Sequence, residues 1–207
     1  MTAHATRYLY LARHGEALPD GSGLSETGRR QATLLGRRLR EVPLAAVHHG
    51  PLRRAAQTAR LIGEQLGSVP VDEEAAAGDY LPHLPDREEL PAACADGLLD
   101  FLGEVPPAEA AAGAALAREA ILRFTGPVPG SVDRHELVVT HAFLISWLLR
   151  DAMAAPDWRW LGINHANTGL TVIRYAPGRP PAVLVQNDQR HLPTELCWTG
   201  FPPEWQV

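Results

Sequence analysis

The sequence predicts an α/β protein, a three-layer α/β/α arrangement with a mostly parallel central sheet. Three observations carry that expectation. Short apolar runs alternate with amphipathic helical stretches; loops bearing Gly and Pro punctuate them; and 207 residues, 45% hydrophobic and 21% charged, suit one sizeable core. A single domain over residues 1–207 is expected, with a helical lid insertion at about 86–125.

Tyr8 to Ala12 is an apolar run that reads as a strand, and the Pro19-Asp20-Gly21-Ser22-Gly23 cluster after it as a loop. From Glu26 to Arg40, Ala32, Leu35 and Leu39 recur at helical spacing among arginines, with Ser25 ahead of them. Leu44 to His48 is a second strand, and a second helix runs from after Gly50-Pro51 to about Leu66 with Ala55, Ala59 and Ile62 on one side. Val69 to Val71 reads as a brief third strand. Two helical segments follow, Glu88 to Leu102 and Ala108 to Phe124, separated by Pro106-Pro107. Leu137 to Thr140 is a buried strand with His141 at its end and an apolar helix, Phe143 to Leu149, behind it. Thr168 to Tyr175 and Ala182 to Val185 close the chain as strands.

Composition excludes several chemistries. All 19 cationic residues are Arg, so a Schiff-base lysine and the lysine of a Walker loop are absent. Cys94 and Cys197 form no C-x-x-C unit, which supports neither a zinc ribbon nor a disulfide framework. The net charge of −5 with scattered arginines argues against nucleic acid. Residues 142–149 form the longest apolar run, far short of the ~20 residues of a membrane span. A cytoplasmic monomer or homodimer is expected, with no membrane partner.

In parallel sheets ligands bind beyond the carboxyl ends of the strands. Arg13-His14-Gly15, His48 to Arg54 and His141 all fall there. Gly15 suits a tight turn that lets a ligand approach the backbone, Arg13 offers a planar fork for phosphate oxygens, and a neutral His14 imidazole is a competent nucleophile toward phosphorus. In isolation an R-H-G triplet reads more readily as a partly buried, packed histidine than as a nucleophile, and the rest of the chain reverses that. His48 and His49, adjacent on an extended segment, point to opposite faces and cannot share a metal. Tyr80, His83 and Phe101 are candidates for pocket lining or for simple packing; His83, His135, His165 and His191 read as surface or structural.

The ordered set Arg13-His14-Gly15, Leu24 to Ala32 (LSETGRRQA), Pro51 to Ala59 (PLRRAAQTA) and Val138-Val139-Thr140-His141 resembles the histidine phosphatase superfamily, also called the phosphoglycerate-mutase-like family, from Arg7 to about Leu192. The resemblance implies that fold and a phosphomonoester hydrolase without cofactor or metal, acting on a small phosphorylated substrate through phosphohistidine at His14. Arg13, Arg54 and His141 would hold the phosphate, with Gly15 close to the substrate. Glu74, four residues before Gly78, would be the proton donor, with Glu73 and Asp79 as rivals. Leu24 stands only ten positions after His14, and His141 67 positions after Glu74, intervals that lack the substrate clamps and extra segment of the mutases. Gly50 and Ala142 depart from the usual Ser and Gly. A phosphoglycerate mutase and a catalytically silent phosphate-binding module are the alternatives.

Overall fold

The computed structural model describes residues 3–206. In chain order the elements are β1 (His4–Ala5), β2 (Arg7–Arg13), α1 (Glu26–Leu39), β3 (Leu44–His49), α2 (Arg53–Leu66), β4 (Val71–Glu73), α3 (Ala95–Leu102), α4 (Pro107–Phe124), β5 (Val128–Pro129), β6 (Arg134–Thr140), α5 (Ala142–Ala152), β7 (Leu170–Tyr175) and β8 (Ala182–Asp188). Six strands form the central sheet in the order β4-β3-β6-β2-β7-β8, and β1 pairs with β5 in a separate antiparallel ribbon. Strands β4, β3, β6 and β2 run parallel, while β7 is antiparallel to both of its neighbours.

Side-chain alternation along the strands divides the core between two faces. Leu9 and Leu11 of β2, Val138 of β6 and Ile173 of β7 meet Ala117, Ala120 and Phe124 of α4 and Leu144, Ile145 and Leu148 of α5. On the other face Ala12, Leu137, Val139 and Val172 meet Leu35 and Leu39 of α1 and Ala55, Ala59 and Ile62 of α2. Of the 86–125 insertion, α4 thus belongs to a packed layer, and α3 sets Phe101 edge-on to Phe143 at its margin.

Several boundaries moved, such as the start of β6 at Arg134 and the end of β8 at Asp188, and two of the shifts have identifiable reasons. The helix expected from Glu88 starts only at Ala95 after a 3-10 turn at Arg87–Glu89, because Pro91 holds Leu90 extended (φ −92°, ψ 143°). The strand expected at Val69 to Val71 lies at Val71–Glu73, where parallel pairing sets Val71 against Val47. No described helix is long and apolar enough to cross a membrane.

Parallel register is what assembles the site. Arg13 lies opposite Thr140, and His49 opposite Val139, so β2, β3 and β6 end on one edge of the sheet. Beyond β8 the chain folds back through two 3-10 turns, Thr194–Leu196 and Pro203–Trp205, and its first part reaches α1 and the end of β2.

Candidate active site

His14 follows the last residue of β2, and its main chain is held from three sides. Its N–H donates to the Thr140 carbonyl (2.9 Å), its carbonyl accepts from Asn167 Nδ2 (2.9 Å), and the next N–H, that of Gly15, donates to Thr58 Oγ1 (3.0 Å). Gly15 packs directly on α1: a Cβ there would lie 2.5 Å from the Gly28 carbonyl oxygen, so no other residue fits without moving the helix. Expected to touch substrate, Gly15 instead uses its N–H on Thr58 and its carbonyl on His14, whose Nδ1 lies 2.7 Å away.

That contact sets the tautomer. Nδ1 carries the proton donated to Gly15, leaving the Nε2 lone pair to accept from Arg54 Nε at 3.1 Å. Burial pushes the His14 pKa down to about 3; the Gly15 bond opposes this, and His141, Arg13 and Arg54 add to it. The imidazole is therefore neutral throughout the physiological range.

Arg54 sits in the first turn of α2 and donates from Nη2 to Asp79 Oδ2 at 2.7 Å. His141, ahead of α5, places Nδ1 3.4 Å from Arg54 Nη2 and 3.5 Å from Asp79 Oδ2, while its buried Nε2 has no partner. Its pKa is also lowered to about 3, by burial first and then by Arg54 and Arg13. The rings of His14 and His141 are 5.0 Å apart. Arg13 directs Nη1 to the carbonyls of His165 (2.7 Å) and Gly200 (3.2 Å), and its buried Nε is unpartnered.

Arg13, His14, Arg54, Asp79 and His141 line one pocket of about 400 Å³, whose remaining wall is Ala17, Leu18, Pro19, Gly21, Ala142 and Phe143. Tyr80, His83 and Phe101 do not line it. Tyr80 donates to the Ala76 carbonyl, His83 pairs with Glu89, and Phe101 reaches the wall only through Phe143. A larger depression of about 630 Å³ lies along β8, but its acid, Asp188, is already paired with Arg38 and Arg190. Among the described residues no three His, Cys, Asp or Glu side chains are gathered as a metal would need.

Glu74, the expected proton donor, is not brought to the pocket. Its backbone N–H extends the sheet by bonding the His49 carbonyl (2.8 Å), and its carboxylate lies 3.6 Å from Arg123 Nε on α4. Arg123 belongs to a different cluster, in which buried Glu136 meets Arg7 (2.8 Å), Arg134 (3.1 Å) and His48 (3.5 Å). The 3-10 turn Ala75–Ala77 then carries the chain forward, pinned where Thr140 Oγ1 donates to the Ala77 carbonyl (2.7 Å), and delivers Asp79 to the pocket wall. Glu73 is exposed on β4.

Several supporting residues are not marked as such by the sequence. Gln31 and Thr58 lie inside the stretches that carry the family resemblance, but their hydrogen bonds to the catalytic loop are tertiary contacts. Asn167 and Gly200 lie outside every motif, and neither had a sequence signal.

A family model described as histidine phosphatase superfamily (branch 1) matches residues 9–188. The chain is 28% identical over 203 residues to the mitochondrial serine/threonine-protein phosphatase Pgam5 of Caenorhabditis briggsae, covering 95% of this chain and 69% of that protein. It is 29% identical over 197 residues to Pgam5 of Caenorhabditis elegans, covering 92% and 66%. The chain thus spans about two thirds of the length of these relatives. Among solved structures, Bacillus stearothermophilus YhfR superposes with a TM-score of 0.64 at 23% identity, covering 89% of this chain and 98% of that one. The alpha-ribazole phosphatase of Shigella flexneri gives 0.65 at 19% identity, covering 88% and 96%. These two likenesses establish the fold.

Proposed function

Because the chain belongs to branch 1 of the histidine phosphatase superfamily, we propose that it hydrolyses phosphomonoesters through a phosphohistidine on His14. The observation that carries this is the neutral Nε2 of His14, its lone pair facing a pocket that also holds Arg13, Arg54, His141 and Asp79.

A phosphate dianion entering the pocket takes Arg54 from His14 and Asp79 and gains Arg13 and His141 Nε2–H as further donors. Arg54 thereby releases Asp79, which serves as the acid of the first step carrying a proton taken from solvent as the substrate binds. His14 Nε2 then attacks phosphorus in line. The N–P bond forms, the P–O bond to the alcohol breaks, and the leaving alkoxide takes the proton of Asp79. In the second step water attacks phosphorus, its proton passes to the Asp79 carboxylate, the N–P bond breaks and inorganic phosphate departs. Positioned donors at the phosphoryl oxygens are each worth roughly 10²–10³-fold in rate, and the general acid a further ~10²–10⁴-fold. No step calls for a metal.

Arg13 and Arg54 are the cations of the pocket wall, and the proposed scheme commits both to the phosphoryl group. Apart from Asp79 the rest of the wall is uncharged, so the leaving alcohol is taken to carry no further anionic group. This favours a small phosphorylated metabolite with an uncharged alcohol part over a phosphoglycerate mutase substrate, whose carboxylate would find no partner. A phosphorylated serine or threonine in a protein is the second reading, supported by the name of the Pgam5 relatives. The proposed setting is the cytoplasm, as a monomer or homodimer. The deciding experiment is p-nitrophenyl phosphate hydrolysis with excess chelator, combined with alkaline denaturation after a labelled substrate pulse. Turnover that survives chelation, together with an acid-labile label absent from His14→Ala, is expected. Undiminished turnover in His14→Ala overturns the scheme.

A further inference from the structure

The guanidinium of Arg13 is held in part by a segment that lies beyond the matched family region, residues 9–188. Nη1 carries two hydrogens, and both are taken by backbone carbonyls, those of His165 and Gly200. What remains is the edge formed by Nε and Nη2. The Nε is buried with no partner, an unfavourable state that an arriving anion relieves. Two parallel donors on one edge of a guanidinium match two oxygens of a phosphoryl group.

We infer that Gly200, through the C-terminal segment around it, is a positioning residue that fixes which edge of Arg13 meets the phosphate. Its own geometry requires glycine. Its φ is +84°, and a Cβ would stand 2.3 Å from Arg13 Nη1 and 2.8 Å from Asn167 Oδ1. The segment is anchored by the side chains that also hold the catalytic loop. Gln31 Nε2 donates to the Leu196 carbonyl (2.9 Å) and to Thr199 Oγ1 (2.7 Å), while its Oε1 accepts from the Glu16 N–H (3.0 Å). Asn167 N–H donates to the Thr199 carbonyl (3.0 Å), and its Nδ2 donates to the His14 carbonyl. The C-terminal segment and the nucleophile therefore share one set of supports, and the position of Arg13 follows from that of the strap.

The inference rests on reading Arg13 as a phosphate ligand, and the test separates the two. Binding of inorganic phosphate is measured by calorimetry on the whole chain and on Gly200→Ala, Thr199→Val and Arg13→Ala, with a thermal melt of each. Gly200→Ala is expected to weaken phosphate binding by about 10- to 100-fold, the size of effect that displacing one positioned group produces. Thr199→Val, which keeps Gly200 but removes an acceptor of Gln31, weakens binding less and in the same direction while the protein remains folded. A purely structural strap would lower the melting temperature or the number of binding-competent molecules and leave the dissociation constant of the folded fraction unchanged. That result in both Gly200→Ala and Thr199→Val overturns the inference. If Gly200→Ala does not fold, Thr199→Val alone decides. Arg13→Ala weakening binding while both strap variants are silent sinks the strap and spares the site; unaltered binding in Arg13→Ala sinks both.

Discussion

At the scale of single residues, the site depends on keeping imidazole neutral and carboxylate responsive. Asp79 faces Arg54 and His141 across a few ångströms, whereas Glu74 faces Arg123 outside the pocket. Asp79→Asn is therefore expected to lower kcat by ~10²–10⁴-fold on alkyl phosphates and far less on p-nitrophenyl phosphate, whose leaving group needs little protonation. Glu74→Gln should leave the ratio between the two substrates unaltered. The reverse pattern, measured by steady-state kinetics on both esters, would return the acid to Glu74. Removing His14 in His14→Ala leaves no nucleophile, so turnover should fall to the background rate.

At the scale of elements, α1 is tied to the catalytic loop at its first turn. Ser25 Oγ accepts from Gly28 N–H (3.0 Å), capping the helix, and donates to Glu16 Oε1 (2.6 Å). Ser25→Ala removes both bonds and should cost about 1 kcal/mol, seen as a fall of roughly 2–4 °C in Tm for a chain of this size. The buried cluster joining β2, β6 and α4 is a harsher test. Glu136 is fully buried, and although burial opposes its charge, His48 and Arg7 hold its pKa below the usual range. Glu136→Gln leaves Arg7, itself 7% exposed, without its counter-ion and should destabilise by about 3–5 kcal/mol in denaturant titration. An unchanged midpoint would mean that water or another group already satisfies Arg7.

For the whole molecule, buried neutral histidines set the acid limit of stability. His14, His141 and His165 have pKa values lowered to about 3 and His191 to about 4, in each case chiefly by burial. Depressed in the folded state, these groups take up protons on unfolding, so the stability they contribute is complete above pH 6.5, the unfolded value, and drains away as pH falls toward 3 or 4. Tm should drop steadily across that window, and a flat profile from pH 7 to pH 4 would contradict the neutral state of these rings. The order of strands and helices, the two apolar faces and the residues at the strand ends were legible along the chain, because side-chain periodicity and turn residues are local properties. Arg13, His14, Arg54 and His141 could be picked out for the same reason: each sits in a short contiguous motif. What depended on folding was the choice among Glu73, Glu74 and Asp79, which differ by a few positions in sequence but are separated by one 3-10 turn that Thr140 pins from another strand. The hold of Gly200 on Arg13 is equally a tertiary matter, since it joins residues 187 positions apart, and no periodicity or motif records a contact between segments that only chain closure brings together.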